Sequence, residues 1–199
     1  MTQSVVILIS GSGSNMQAIV RAAHDKHWAE RFGARIAGVV SNRPDAKGLA
    51  WAQEQGLPSR VVDHKQFSSR EAFDAELMRV VDALDPQRRP AWVVLAGFMR
   101  ILTPAFVQHY EGRLLNIHPS LLPAFPGLHT HERAIDAGCT FAGATVHRVT
   151  AELDHGEYLD QVMVPVLPCD TPETLAARVL TQEHIMYPRV IERLLQSNT

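Results

Sequence analysis

The sequence predicts an α/β fold with a doubly wound, mostly parallel sheet and an antiparallel strand pair near the C-terminus. Short apolar runs rich in valine and isoleucine alternate with segments of helical periodicity over most of the chain. Such runs are typical of parallel strands that are covered on both faces. Near the end of the chain, two strand-like segments lie too close together for a crossover helix, so they should pair antiparallel.

The composition indicates one globular domain, predicted to cover residues 1–199. Apolar residues make up 46% of the chain and charged residues 20%, and the net charge of −2 leaves no basic stripe for nucleic acid. Two cysteines are too few for a disulfide framework. No signal peptide is visible, and no apolar run approaches the roughly 18 residues of a membrane helix. We therefore expect a cytoplasmic protein, monomeric or homodimeric, without nucleic-acid or membrane partners.

Strands and helices alternate regularly through the first half of the sequence. A helical pattern begins at Met16, a second covers residues 46–55, and a third follows Ser68, which forms a capping box with Glu71. Strands are predicted at residues 5–9, 35–41, 59–62 and 91–96, of which the first and the fourth are apolar enough to be buried and the third is short. This alternation is what builds a parallel sheet with helices on both faces.

The first predicted strand runs into a glycine-rich turn, Ser-Gly-Ser-Gly-Ser-Asn at residues 10–15. Backbone N–H groups and the helix dipole point outward from such a turn, so it can hold an anion. A dinucleotide fingerprint would need a third glycine where Met16 stands and an acidic residue about twenty positions later. A Walker A loop would need a lysine. The turn therefore suits a single phosphate group, and a dehydrogenase is disfavoured.

The fourth predicted strand is followed by an unusually apolar segment, Gly-Phe-Met-Arg-Ile-Leu at residues 97–102. One interpretation is a turn tucked under the sheet. The other is an apolar wall for an aromatic ligand at the carboxyl edge of the strands, where open α/β sheets form their sites. The residue types alone leave both interpretations open.

A fifth strand is predicted at residues 113–117. It contains Asn116, and His118 and a loop stiffened by three prolines follow it. Alternate side chains of a strand point to the same face, so the amide and the imidazole should project together. A neutral hydrogen-bond donor beside a titratable ring suits acyl-transfer chemistry. The alternative is a local role, in which both side chains satisfy backbone groups of the loop.

The connection between the two late strands, predicted at 141–149 and 161–166, is acidic and contains Asp154. It is either a solvated hairpin or a loop that turns Asp154 toward His118, where a carboxylate would stabilise the protonated ring. His129 and His131 form an H-x-H pair without the third ligand of a catalytic zinc site, so no metal is predicted. The last helix follows Thr171, and Ile185 is among the apolar residues expected to cover the core.

The stretch Asn-Ile-His-Pro-Ser-Leu-Leu-Pro at residues 116–123 resembles the signature of the folate-dependent formyltransferases. Its continuation, Phe-Pro-Gly-Leu-His-Thr-His at 125–131, is similar to the phosphoribosylglycinamide formyltransferase branch of that family. The resemblance extends from the first strand to the last helix. It implies a Rossmann-like fold and transfer of a formyl group from 10-formyltetrahydrofolate, the co-substrate, to the amine of 5-phosphoribosylglycinamide in purine biosynthesis, without a metal.

The resemblance also implies roles for individual residues. Asn116 and protonated His118 would stabilise the developing oxyanion, and Asp154 would keep His118 charged. The substrate's phosphate and its ribose or glycinamide end would be bound by Gly13, Ser14, Asn15 and Glu183. Folate contacts would come from Arg70, Met99, Arg100, Ile101, Leu102, Asn116, Thr150, Ala151, Glu152, Leu153 and Asp154. Residues 157–160 are less apolar than is usual in the family, so the beginning of the last strand is the place where this chain departs from the family pattern.

Other functions share parts of this pattern. Methionyl-tRNA formyltransferases have the same Asn-x-His core but carry a C-terminal tRNA-binding domain and a different first turn. A formyltetrahydrofolate hydrolase would use water in place of the amine and usually bears an N-terminal regulatory domain. Neither extra domain is visible in this sequence. A non-catalytic folate or nucleotide binder would keep Gly13 and Met99 but would need neither His118 nor Asp154.

Overall fold

The computed structural model describes residues 2–152 and 154–197. Within these residues seven strands form a single sheet. The strands are β1 Gln3–Ile9, β2 Ala34–Ser41, β3 Ser59–Val61, β4 Trp92–Leu95, β5 Leu114–His118, β6 Phe141–Arg148 and β7 Tyr158–Pro165. Their order across the sheet is β3-β2-β1-β4-β5-β6-β7.

Helices connect the strands and cover both faces of the sheet. They are α1 Ser14–Asp25, α2 Trp28–Phe32, α3 Lys47–Glu54, α4 Arg70–Ala83, α5 Pro104–His109, α6 Thr130–Asp136 and α7 Pro172–Ser197, with a short 3-10 turn at His64–Gln66. In the described ranges no helix is both long and apolar enough to cross a membrane. The five-residue helix α2 was not predicted, because it is too short to show a helical period.

The pairing of the strands confirms the predicted fold class. Strand β1 pairs parallel with β2 and β4, β2 pairs parallel with β3, and β4 pairs parallel with β5. Strand β6 runs antiparallel to both β5 and β7. The carboxyl ends of β1, β2, β4 and β5 therefore meet at one edge of the sheet, and the loops that leave this edge can share a site.

The core has two layers because alternate side chains of each buried strand face opposite sides of the sheet. In β1, Val5, Ile7 and Ile9 pack with apolar residues of α1, α3 and α7. Val6 and Leu8 pack on the other side with α4 and α5. All five side chains are fully buried, and each such burial stabilises the fold by roughly 1.5–3 kcal/mol.

Two details of the helices differ from the predictions. The cap of α4 is Ser69, whose hydroxyl accepts a hydrogen bond from the Ala72 N–H, so the predicted cap Ser68 was wrong by one residue. Adjacent serines offer the same capping chemistry, and only the start of the helix distinguishes them. Ile185 was expected in the core but is 59% exposed, because the buried stripe of α7 continues through Met186 instead.

Candidate active site

The glycine-rich turn lies at the carboxyl end of β1 and leads directly into α1. Gly13 occupies the position before the helix with a left-handed φ of 68°. A Cβ atom at Gly13 would lie 2.8 Å from the Met16 side chain and 3.3 Å from the Gly48 backbone. The Gly48 N–H also donates to the Gly11 carbonyl at 3.0 Å, so α3 supports the turn from below. Close backbone packing thus requires glycine here, and the first N–H groups of α1 remain available for an anion.

Asn15 and Glu183 join the first helix to the last one. The Asn15 amide donates to Glu183 Oε2 at 2.7 Å, and both side chains are buried. Burial raises the pKa of the Glu183 carboxyl, while the Asn15 hydrogen bond partly opposes this effect. The Asn15 amide nitrogen therefore points toward α7, where it is held by Glu183.

His118 ends β5 in a buried position between two oxygen atoms. Its Nδ1 lies 3.6 Å from Asp154 Oδ2, and its Nε2 lies 3.0 Å from the carbonyl oxygen of Phe125 in the proline-rich loop. The hairpin between β6 and β7 therefore turns Asp154 inward, which decides between the two alternatives that the sequence left open for this connection. Both ring nitrogens of His118 thus face oxygen atoms that can accept hydrogen bonds.

The inward position of Asp154 is fixed by the backbone on both sides. Asp154 has a left-handed φ of 56°, and its Oδ2 accepts a hydrogen bond from the Gly127 N–H at 3.0 Å. A Cβ atom at Gly156 would overlap the carbonyl oxygen of Arg148, so the hairpin closes only with glycine at that position. These contacts hold the carboxylate against the strand that carries His118.

His147 is a second buried imidazole in this cluster, and it is not among the predicted site residues. Its Nε2 lies 3.8 Å from Asp154 Oδ1 and 3.3 Å from the Asn116 amide nitrogen, while its Nδ1 lies 3.0 Å from the Arg148 carbonyl. Burial lowers the pKa of His147, which favours the neutral ring. A neutral ring that donates from Nδ1 accepts one amide hydrogen of Asn116, which fixes the amide and leaves its second hydrogen for another acceptor.

A signal for His147 was present in the alternation of the predicted sixth strand. In the sheet, His147 lies directly opposite Asn116 on β5. Side chains that lie opposite each other in an antiparallel pair are close enough to interact. The register that brings these two residues together depends on tertiary packing. The sequence therefore indicates a histidine on this strand but not that it lies opposite Asn116.

The apolar segment after β4 lies beside the turn after β1 and exposes large side chains. Met99 is 72% exposed and Ile101 is 64% exposed, whereas Arg100 and Leu102 are partly buried. The Asp74 carboxylate fixes the end of the segment by accepting the Thr103 N–H at 2.6 Å. Neighbouring exposed apolar side chains on a fixed backbone form a suitable wall for a ligand.

A cavity of about 550 Å³ connects the turn, the apolar segment and the last helix. Six of the predicted site residues line it, and these are Gly13, Ser14, Asn15, Met99, Arg100 and Glu183. Ile117 and Pro119, the chain neighbours of His118, also line it. The cavity thus extends from the possible anion site to the strand end that carries the buried histidine.

Some predicted folate contacts lie outside this cavity. Arg70 is exposed at the start of α4. Thr150, Ala151 and Glu152 are exposed on the hairpin, where the Thr150 hydroxyl donates to the Glu152 carbonyl at 3.1 Å. Leu153 lies outside the described residues. In the described parts of the chain no cluster of three histidine, cysteine or acidic residues could hold a metal ion.

Comparison with known proteins identifies the family. Residues 3–191 match the formyl transferase family. The phosphoribosylglycinamide formyltransferase of Escherichia coli is 49% identical over 188 residues, which cover 94% of this chain and 85% of that protein. The trifunctional purine biosynthetic protein adenosine-3 of Homo sapiens is 41% identical over 195 residues, and the match spans 98% of this chain but 18% of that protein.

Solved structures agree with the sequence relatives. The crystal structure of phosphoribosylglycinamide formyltransferase from Brucella melitensis has a TM-score of 0.88 and 49% identity, over 98% of this chain and 96% of that one. Glycinamide ribonucleotide transformylase 1 from Symbiobacterium toebii has a TM-score of 0.91 and 41% identity, over 98% and 89% of the two chains. The resemblance inferred from residues 116–131 is confirmed, and the chain belongs to the formyl transferase family.

Proposed function

We propose that this chain transfers the formyl group of 10-formyltetrahydrofolate to the amine of 5-phosphoribosylglycinamide, a reaction of purine biosynthesis. The observation that carries the proposal is the meeting of Asn116, His118 and Asp154 at the end of β5, beside a cavity that begins at the glycine-rich turn. Relatives with the corresponding name match the chain over most of its length, which supports this choice of substrates.

The proposed positions of the substrates follow from the chemistry of the cavity walls. The phosphate binds to backbone N–H groups of Ser14 and Asn15 at the start of α1, where the helix dipole favours a negative charge. The Glu183 carboxyl lies next to Asn15 and can accept hydrogen bonds from the ribose or glycinamide part. A volume of about 550 Å³ is in the usual range for a small-molecule site.

The folate pterin packs against the apolar segment after β4. Met99 and Ile101 supply exposed apolar surface, and the backbone from Met99 to Leu102 can hydrogen-bond to the edge of the pterin ring. In this proposal the hairpin residues Thr150, Ala151, Glu152 and Asp154 form the opposite wall, and Arg70 lies near the outer end of the folate. The formyl group is thereby directed toward His118.

In the proposed reaction, the amine attacks the formyl carbon and forms a tetrahedral intermediate with a negative oxygen. The second amide hydrogen of Asn116 and an N–H of protonated His118 donate to this oxygen. The oxygen takes the place of the Phe125 carbonyl that now faces His118 Nε2. The bond from carbon to the folate nitrogen then breaks, and the proton lost by the attacking amine passes to that nitrogen. The Asp154 carboxylate balances the charge of the His118 ring throughout.

This direct transfer requires neither an acyl-enzyme nor a metal. Both substrates are small molecules, and we assign the reaction to the cytoplasm, with a monomer or homodimer as the predicted form. A hydrolase that transfers the formyl group to water is the second candidate, because it would use the same Asn116, His118 and Asp154 cluster. The two candidates differ in their need for the amine.

The test is to measure folate product formation from 10-formyltetrahydrofolate, with and without 5-phosphoribosylglycinamide. We expect turnover only when the amine is present and a loss of about 10²- to 10⁴-fold in His118→Ala. His24→Ala is a matched control, because His24 is exposed on α1. Turnover that does not depend on the amine would identify a hydrolase, and folate binding without any turnover would contradict both catalytic proposals.

A further inference from the structure

Ser10, the first residue of the glycine-rich turn, connects the turn to the apolar segment after β4. Its hydroxyl accepts a hydrogen bond from the Met99 N–H at 2.7 Å and donates to Asn42 Oδ1 at 2.6 Å. Its own N–H donates to the Gly97 carbonyl at 3.1 Å. Ser10 therefore holds the segment at two backbone positions, the Gly97 carbonyl and the Met99 N–H.

The partner of Ser10 is fixed as firmly as Ser10 itself. Asn42 follows β2 and is 2% exposed, and Ser10 is 5% exposed. Asn42 also contacts His64, whose Nδ1 lies 2.9 Å from the Asn42 carbonyl oxygen and 3.2 Å from the Asn42 amide nitrogen. Ser10, Asn42, His64 and Met99 all line the 550 Å³ cavity. A ligand in this cavity thus meets a continuous set of hydrogen-bonded groups.

We propose that Ser10 is a positioning residue that couples the phosphate-binding turn to the folate-binding segment. The inference rests on the proposed function, because it assigns the phosphate to the turn and the pterin to residues 99–102. Ser10 does not touch the reacting atoms. It acts by holding the Met99 backbone at a fixed distance from the turn.

The physical basis of the coupling is that both sites share one ordered group. A phosphate bound to the turn restrains Ser10 and, through the hydroxyl, the Met99 N–H. The segment is then already ordered when folate binds, so the second ligand loses less conformational freedom than it would alone. By thermodynamic linkage, folate must strengthen binding of the phosphate substrate by the same factor.

The apolar segment has a second anchor at its far end, and this anchor does not connect it to the turn. The Asp74 carboxylate holds the Thr103 N–H, and this anchor comes from α4, which does not line the cavity. Asp74 can order the segment, but it does not line the cavity, so a ligand bound at the turn does not contact it. Ser10 belongs to the turn through its backbone, and its hydroxyl holds the segment at the Met99 N–H.

The test measures the dissociation constant of tetrahydrofolate, which has no formyl group to transfer, with and without 5-phosphoribosylglycinamide. We expect wild-type protein to bind tetrahydrofolate about tenfold more tightly when the phosphate substrate is present. In Ser10→Ala, Met99 loses its acceptor while the bond from the Ser10 N–H to Gly97 remains, so binding should weaken by about tenfold and the ratio of the two constants should fall toward one.

Ser4→Ala is the matched control for Ser10→Ala. Ser4 lies on β1, the strand that leads to Ser10, is 1% exposed, and donates to Asp85 Oδ1 at 2.5 Å, at the opposite edge of the sheet. It should lower stability in a similar way but leave the coupling intact. Equal loss of coupling in Ser4→Ala, or unchanged coupling in Ser10→Ala, would overturn the inference, as would equal constants in the wild type.

The proposed function can fail independently of this inference. A wild-type protein that binds no tetrahydrofolate would contradict the folate assignment itself, and the coupling would fall with it. If Ser10→Ala does not fold, Asn42→Ala removes the acceptor of the Ser10 hydroxyl and should reduce the ratio of the two constants. An unchanged ratio in a folded Asn42→Ala would also overturn the inference.

Discussion

Two carboxyl groups on opposite sides of the site, Asp154 and Glu183, are equally buried but differently surrounded. Each is 7% exposed. Asp154 faces the rings of His118 and His147 and accepts the Gly127 N–H. Glu183 receives one hydrogen bond from a neutral amide, that of Asn15, and burial raises its pKa. Burial alone therefore does not determine what a carboxyl group in this site can do.

Because their surroundings differ, Asp154 and Glu183 should have different roles in the reaction. A carboxylate that faces a titratable ring can balance a positive charge that forms or persists during the reaction. A buried carboxyl with one neutral donor keeps most of its hydrogen-bonding capacity for a ligand that enters the cavity. We therefore expect Asp154 to govern the rate of the chemical step and Glu183 to govern binding of the amine substrate.

The largest expected effect is that of Asp154→Asn. The amide can still accept the Gly127 N–H, but it has no charge to balance protonated His118. We expect kcat to fall by about 10²- to 10⁴-fold, while the KM of both substrates changes by less than about threefold. Steady-state kinetics with both substrates measure this, with Asp136→Asn on the exposed face of α6 as control. Near-wild-type turnover would remove Asp154 from the mechanism.

Replacement of Glu183 should affect the other kinetic constant. Glu183→Gln keeps the size of the side chain but replaces one carboxyl oxygen, which can accept hydrogen bonds from the substrate, with an NH2 group that only donates. We expect the KM for 5-phosphoribosylglycinamide to rise by about 10- to 100-fold, with a much smaller change in kcat and in the folate KM. Glu173→Gln, exposed in the first turn of the same helix, should leave all three constants unchanged. A larger change in kcat than in KM would contradict the proposed distinction between Asp154 and Glu183.

The parts of this comparison that the sequence predicted depend on local patterns. The apolar run of β1, the glycine-rich turn and the alternation of Asn116 with His118 each arise within a few residues, so their structural consequences could be predicted. Asp154 was a candidate because a hairpin between antiparallel strands was expected and because the segment resembles a known family. The inward turn of Asp154 itself needed the structure.

The parts that escaped prediction depend on contacts between distant residues. Asn15 meets Glu183 across 168 positions of the chain, and Ser10 meets Met99 across 89. His147 joined the site because the register between β5 and β6 sets it opposite Asn116. Local propensity carries no information on such pairs, since packing of the whole sheet decides them.

The smallest expected effect is a pH-dependent change in stability that separates the two carboxyl groups without any substrate. Because the folded pKa of Glu183 is raised, the unfolded chain loses this proton first as the pH rises past the ordinary value of 4.5. The stability of the wild type relative to Glu183→Gln is therefore highest below that pH and falls until the pH exceeds the raised folded pKa. Each unit of raised pKa corresponds to about 3–5 °C in Tm for a chain of this size. Thermal unfolding of both proteins from about pH 4 to pH 8 measures the difference. A difference that stays constant or grows in favour of the wild type would contradict the raised pKa of Glu183 and, with it, the contrast drawn between the two carboxyl groups.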